Sequence, residues 1–312
     1  MKQFLNYFKD FHKSYFDIRL YGTVLLFLAS LITINYYFDI EDTYIDSFRG
    51  SFWRIPLFFL YHGFAYFGVL FILYLFTKNK NWLTKKFLLK SLVGLSILAI
   101  DRSVFPFISD PILDIVPQFT ITFTRKILNN VYGWFTIALV LFIIKFIFDR
   151  HEKFGLYGLK FKNVNFKAYL VLMGIMAIIV FVASQFPHFT DYYPLYKKSG
   201  AKFINLYYQV PEVYTKIIYE LFYVTDFFNT ELLFRGFFII GMAKLLGKDA
   251  VLPMVATYVV LHFGKPMGET ISSIFGGYIL GILALYSKNI WGGIFLHGGT
   301  AFLMEIFAFL KK

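Results

Sequence analysis

A run of about 20 apolar residues is the length a helix needs to cross the hydrocarbon of a bilayer, where every backbone amide must find its partner inside its own helix. Such runs recur along this chain at about residues 20–38, 55–76, 88–107, 131–149 and 168–186, each bounded by charges, proline or asparagine. A longer segment follows at 213–246, then shorter ones at 249–263, 270–286 and 289–309. Eight or nine spans within 312 residues leave no room for a soluble module. The expected fold class is therefore all-α, a multi-pass transmembrane helix bundle forming a single membrane domain. Composition agrees: 58% of the residues are hydrophobic and only 16% are charged, where soluble domains carry about a quarter.

The charges that remain sit between the apolar runs. Lys2, Lys9, Lys13 and Arg19 precede the first run, Lys78, Lys80, Lys85, Lys86 and Lys90 flank the second gap, and Arg150, Lys153, Lys160, Lys162 and Lys167 fill the fourth. The gaps between carry fewer, and D-I-E-D-T-Y-I-D at 39–46 is acidic. Positive loops stay cytoplasmic, so the amino terminus is expected inside. The net charge of +12 is thus explained by membrane lipid as partner and not by nucleic acid. With no cysteine, disulfides, iron-sulfur clusters and thiol nucleophiles are excluded, and His, Asp and Glu are the strong metal ligands left.

The opening sixteen residues, M-K-Q-F-L-N-Y-F-K-D-F-H-K-S-Y-F, lack the apolar core and cleavage site of a signal peptide. Residues 1–19 read as an amphipathic leader, 20–149 as accessory transmembrane helices and 150–312 as the motif-bearing core, with the amphipathic, basic stretch 154–167 on the cytoplasmic surface between them. No repeat and no matched pair of broken helices suggests a transporter.

Ionisable side chains within spans are expensive and mark function when they converge. The segment N-T-E-L-L-F-R-G places Glu231 and Arg235 four apart, on one helical face. His262 ends an apolar helix just before Gly264 and Pro266, and His297 lies within a span among Gly292, Gly293, Gly298 and Gly299, residues that allow close helix approach. An ion pair that pins one helix accounts for Glu231 and Arg235 alone, but not for two further histidine clusters. His62, in F-L-Y-H-G-F, has no companion motif and reads as structural. A carboxylate, a guanidinium and two imidazoles in one cavity suffice to activate water and hold a developing oxyanion. Two His and one Glu are also the ligand set of a hydrolytic zinc site.

These residues resemble the CAAX prenyl protease and bacteriocin-processing family, CPBP or Abi, of multi-pass intramembrane metalloproteases. The resemblance covers about residues 150–310. Its three motifs, Glu-Glu-x-x-x-Arg, an aromatic followed by x-x-x-His, and His-x-x-x-Asn, correspond to Thr230-Glu231-Leu-Leu-Phe-Arg235, Tyr258-Val-Val-Leu-His262 and His297-Gly-Gly-Thr-Ala301. Text such as G-K-P-M-G-E-T-I-S-S-I-F-G-G-Y-I-L-G is similar to bacterial members. The resemblance implies an intramembrane endopeptidase of the cell membrane that cleaves a membrane-anchored, lipidated or leader peptide. Glu231, Arg235, His262 and His297 would be catalytic, and a divalent metal such as zinc could bind Glu231, His262 and His297. Two positions depart from the pattern: Thr230 replaces the first glutamate and Ala301 the polar residue of the third motif. Asp226, Glu269 and Glu305 are the candidate compensating carboxylates. The alternative implied by the departures is a non-catalytic homologue acting as scaffold, chaperone or bacteriocin self-immunity factor.

Overall fold

The computed structural model describes residues 1–151, 155–161 and 164–311. Lys153, Lys162 and Phe154, expected within the basic loop, lie outside the described residues.

Among the described residues there is no strand. The chain begins with α1 (Lys2–Tyr15), α2 (Ile18–Phe38), α3 (Arg54–Thr77) and α4 (Lys85–Leu113). A composite span follows, built of α5 (Ile121–Val131), a π-helical turn (Trp134–Leu139) and α6 (Val140–Phe148). Next come α7 (Phe166–Ala183), the short α8 (Pro187–Tyr192) and α9 (Ala201–Tyr208), and α10 (Glu212–Glu231), which runs directly into a π-helical stretch, Leu232–Gly241. The chain closes with α11 (Ala243–Leu246), α12 (Val251–Val260), α13 (Met267–Ser287) and α14 (Trp291–Phe309).

Seven segments are long and apolar enough to cross a bilayer: α2, α3, α4, the composite Gln118–Phe148, α7, α13 and α14. Their outward side chains match that setting, since Leu26, Phe64, Phe135 and Ile178 are all well exposed, which acyl chains tolerate and water does not. The other two segments marked by hydropathy differ. α10 carries Glu212, Lys216, Glu220, Asp226 and Glu231, too many charges to face lipid. α12 has ten residues, about 15 Å of helix or half the hydrocarbon thickness. All ten are buried, so α12 is a core helix sheathed by its neighbours.

The main hydrophobic core runs through both halves of the chain, joining Tyr66, Val69 and Leu95 to Phe237, Phe238, Val259 and Ile282. The early spans α3 and α4 therefore form part of the packing that holds the π-helical stretch. The leader is docked as well. Phe4 meets Tyr169 edge-on with ring centroids 4.8 Å apart, Tyr7 stacks on Tyr286 at 5.2 Å, and His12 Nε2 lies 3.2 Å from the Tyr278 hydroxyl.

Candidate active site

Glu231 is the last α-helical residue of α10, and Arg235 falls within the π-helical stretch that follows. Stretches of π-helix widen the turn and occur mostly at functional sites. Arg235 Nη1 comes within 2.9 Å of Glu231 Oε1, yet none of the guanidinium nitrogens forms an aligned hydrogen bond. Arg235 instead rests on the face of Tyr258, 4.2 Å from the ring centroid. Both ends of the pair are sealed, with Glu231 0% and Arg235 1% exposed.

Glu231 Oε1 also accepts from His297 Nδ1 at 3.0 Å, and His297 Nε2 lies 3.2 Å from the Tyr258 hydroxyl. A chain of contacts thus runs Arg235, Glu231, His297, Tyr258. Its far end meets His262, whose ring sits 4.5 Å from that of Tyr258. His262 Nδ1 is 2.8 Å from the Tyr258 carbonyl. A carbonyl only accepts, so Nδ1 carries the proton and neutral His262 keeps a lone pair on Nε2. That Nε2 has no partner among the described residues and, unlike the Nε2 of His62, is not sealed from its surroundings. Thr270 fixes this corner by donating from Oγ1 to the His262 carbonyl at 2.7 Å.

Glycines set how closely the helices approach. A Cβ on Gly293 would stand 2.3 Å from Glu231 Oε2, and one on Gly292 would enter the Tyr169 ring at 1.9 Å. Gly298 and Gly299 play the same part against Val224 and Met173. The crevice beside Glu231, lined by Tyr169, Arg235, Leu283 and Gly293 among others, has no room for a water molecule.

Residues 215–303 match the family model for type II CAAX prenyl endopeptidase Rce1-like proteins. This stretch is an Rce1-like domain. It runs from α10 into α14 and holds Glu231, Arg235, His262 and His297. Together with the seven apolar helices, it makes the chain an integral membrane protein with a domain of the CAAX-type intramembrane protease family, the family resembled by the three motifs. No curated protein and no solved structure matches the chain.

None of the three candidate compensating carboxylates, Asp226, Glu269 and Glu305, touches Glu231, His262 or His297 among the described residues. The charged neighbours of Asp226 are Asp101 and Arg102 on α4 and Lys265. Glu269 is held by Lys265 Nζ at 2.6 Å and by the Tyr193 hydroxyl at 2.9 Å. Glu305 accepts the backbone N–H groups of Leu195 and Tyr196 at 2.7 and 3.1 Å, capping the turn after α8. Asp226 thus faces α4 through Asp101 and Arg102 and the turn after α12 through Lys265.

The zinc option does not fit the Rce1-like domain as it stands. Among the described residues no group of three His, Asp or Glu side chains could hold a metal ion. His297 is engaged at both ring nitrogens, by Glu231 and Tyr258.

Sequence reasoning missed two residues at this site. The Tyr258 hydroxyl touches His297, although the motif marks position 258 only as aromatic. Lys265, in the turn after α12, sits where its charge acts on Tyr258, His262 and His297. Burial pulls the Lys265 ammonium down, and Glu269 with Tyr192 and Tyr258 more than offsets this, leaving it raised. Its position beside the Gly264 and Pro266 break was the available signal.

Proposed function

We propose that the protein is an intramembrane endopeptidase that hydrolyses a membrane-anchored or prenylated peptide, with His262 as general base. The observation that carries this is the unpartnered, lone-pair-bearing Nε2 of His262 at the end of the Arg235, Glu231, His297, Tyr258 chain. Water gives its proton to His262 Nε2 while its oxygen attacks the scissile carbonyl. The new oxyanion is met by donors from Tyr258 and Lys265, and the proton passes to the leaving amine as the C–N bond breaks. Glu231 holds His297 in the tautomer that presents Nε2 to Tyr258, and Arg235 neutralises Glu231 in a site where an unpaired carboxylate would be unstable. The lysine-rich loops support a cytoplasmic amino terminus in the cell membrane.

The test is cleavage of a farnesylated peptide by the purified full chain in proteoliposomes. His262→Ala should abolish cleavage while the protein still folds. If that variant cleaved at the full rate, His262 would not be the base.

A non-catalytic role is favoured by two observations: Thr230 and Ala301 remove two polar groups of the family pattern, and the crevice at Glu231 is closed to water. In that case only the double variant Thr230→Glu with Ala301→Asn would cleave the peptide, and the natural chain would not.

A further inference from the structure

Outside the Rce1-like segment, the α2–α3 loop meets the carboxyl-terminal part of α4 and the start of the composite span around a cavity of about 210 Å³ lined by Arg49, Gly50, Pro106, Ser109, Asp110 and Arg125. At roughly 30 Å³ per water molecule, this volume holds several waters or one small headgroup. Arg49 and Arg125 make no salt bridge and no side-chain hydrogen bond among the described residues, whereas Arg54, the first residue of α3, is paired with Asp46 at 2.5 Å and Arg102 is paired with Glu41. Two more cations stand near, since Lys126 lies within electrostatic reach of both Arg49 and Lys198. The only acid in the lining is Asp110, which accepts from the Ser109 hydroxyl at 3.1 Å.

A second, independent feature fixes the depth of this cavity. Phe52 and Phe107 stack face to face beside it with centroids 4.6 Å apart and planes 10° apart. Phe52 and its neighbour Trp53 are each 70% exposed, and Phe48 is exposed too. Aromatic side chains standing out beside a loop that ends a span mark the level of the lipid headgroups. Guanidinium groups are the donors suited to bidentate contact with phosphate oxygens. A basic pocket at headgroup depth is the arrangement that recognises an anionic lipid.

We propose that this cavity is a binding site for the phosphodiester of an anionic phospholipid. Arg49 and Arg125 grip the phosphate oxygens, Ser109 and Asp110 face the headgroup hydroxyls, and Phe52, Trp53 and Phe107 hold the adjoining acyl region. The site is independent of the peptidase chemistry. It gives the early spans a lipid-reading role at the end of the bundle opposite the docked α1.

The experiment is a titration of the purified full chain in detergent micelles with fluorescent phosphatidylglycerol, competed in separate arms by unlabelled phosphatidylglycerol, phosphatidylcholine and sodium phosphate. Phosphatidylglycerol should compete at least about fivefold better than phosphatidylcholine, the effect of about one well-placed cation at an anionic surface. Arg49→Gln with Arg125→Gln should erase that preference. Asp110→Asn should strengthen phosphatidylglycerol binding, a gain that misfolding cannot mimic. Equal competition by the two lipids in the natural chain, or an unchanged preference in the double variant, overturns the proposal. Displacement by sodium phosphate as effective as by phosphatidylglycerol overturns the lipid assignment and makes the ligand a free phosphate.

Discussion

Two clusters of buried charge stand at the two ends of the π-helical stretch Leu232–Gly241, and they are completed to different degrees. At the far end, Lys90 Nζ donates to Asp149 Oδ1 at 2.8 Å, to Oδ2 at 2.7 Å and to the Gly241 carbonyl at 2.8 Å. The Tyr157 hydroxyl adds a fourth bond to Asp149 Oδ2 at 2.9 Å. The ammonium has spent all three of its protons. At the near end, Glu231 Oε2 and the Arg235 nitrogens are buried without a hydrogen-bond partner among the described residues, and His262 Nε2 has none there either. A satisfied buried network rigidifies the fold, and a partly satisfied one is unstable unless something else completes it. The first cluster is an anchor. The second keeps bonding capacity in reserve, which the proposed peptidase reading would use.

The contrast is broken most sharply at His262. Replacing it with alanine removes the proposed base and should lower kcat/KM by about 10²–10⁴-fold. Thermal unfolding in micelles should change little, since the side chain's one hydrogen bond is to a carbonyl of its own helix. A variant that unfolds early and cleaves normally would reverse the assignment of the two clusters.

Lys90→Met tests the other end. It leaves the Asp149 carboxylate buried without its directly paired ammonium, which destabilises by up to about 3–5 kcal/mol. Adding Asp149→Leu should recover most of that loss, because two apolar side chains replace a buried pair at little net difference. Thermal unfolding of the single and double variants provides the measurement. Peptide cleavage per folded molecule should stay near that of the natural chain in both.

How much of this contrast could be read in the sequence depends on the range of the interactions. Glu231, Arg235, His262 and His297 were legible because their spacing within single helices places each on a definite face. The spans were legible because hydropathy is a sum over some 20 residues. Lys90 and Asp149 were not. Lys90 reads as one more cytoplasmic lysine and Asp149 as a helix end, and only the fold of residues 59 positions apart joins them. The π-helical stretch was equally hidden, since L-L-F-R-G-F-F-I-I-G has no residue that distinguishes it from an α-helix. It arises from packing, with Phe237 and Phe238 locked in the main core and Gly236 against the Tyr157 carbonyl, where a Cβ would stand at 2.9 Å. The shortness of α12 escaped hydropathy because its apolar residues face protein and not lipid.

Glycine substitutions sharpen the comparison at an intermediate size. Gly293→Ala sets a methyl 2.3 Å from Glu231 Oε2, whereas Gly241→Ala sets one 2.9 Å from the Tyr157 ring. Each overpacks a tight contact and should destabilise by about 1–3 kcal/mol. Only the first moves a group of the near cluster, so it alone should reduce cleavage per folded molecule. Parallel unfolding and cleavage assays separate the two effects, and an equal drop in cleavage from both would mean that the clusters are not functionally distinct.

The smallest change is Tyr258→Phe, which deletes a hydroxyl and leaves the ring that carries Arg235 and His262. Losing the 3.2 Å contact to His297 Nε2 should reduce stability by about 0.5–1.5 kcal/mol, the value of one hydrogen bond. Its effect on cleavage tells two roles apart. If the hydroxyl only steadies His297, kcat falls no more than that energy allows, about tenfold at most by the usual conversion of 1.36 kcal/mol per decade. If it turns to donate to the oxyanion, kcat falls by about 10²–10³ while KM holds, since the missing bond exists only in the transition state. The proposed mechanism requires the larger fall. Lys265→Met in the same background then shows whether the turn after α12 supplies the remaining donor, because a second donor to the same oxygen would make the double loss exceed either single one.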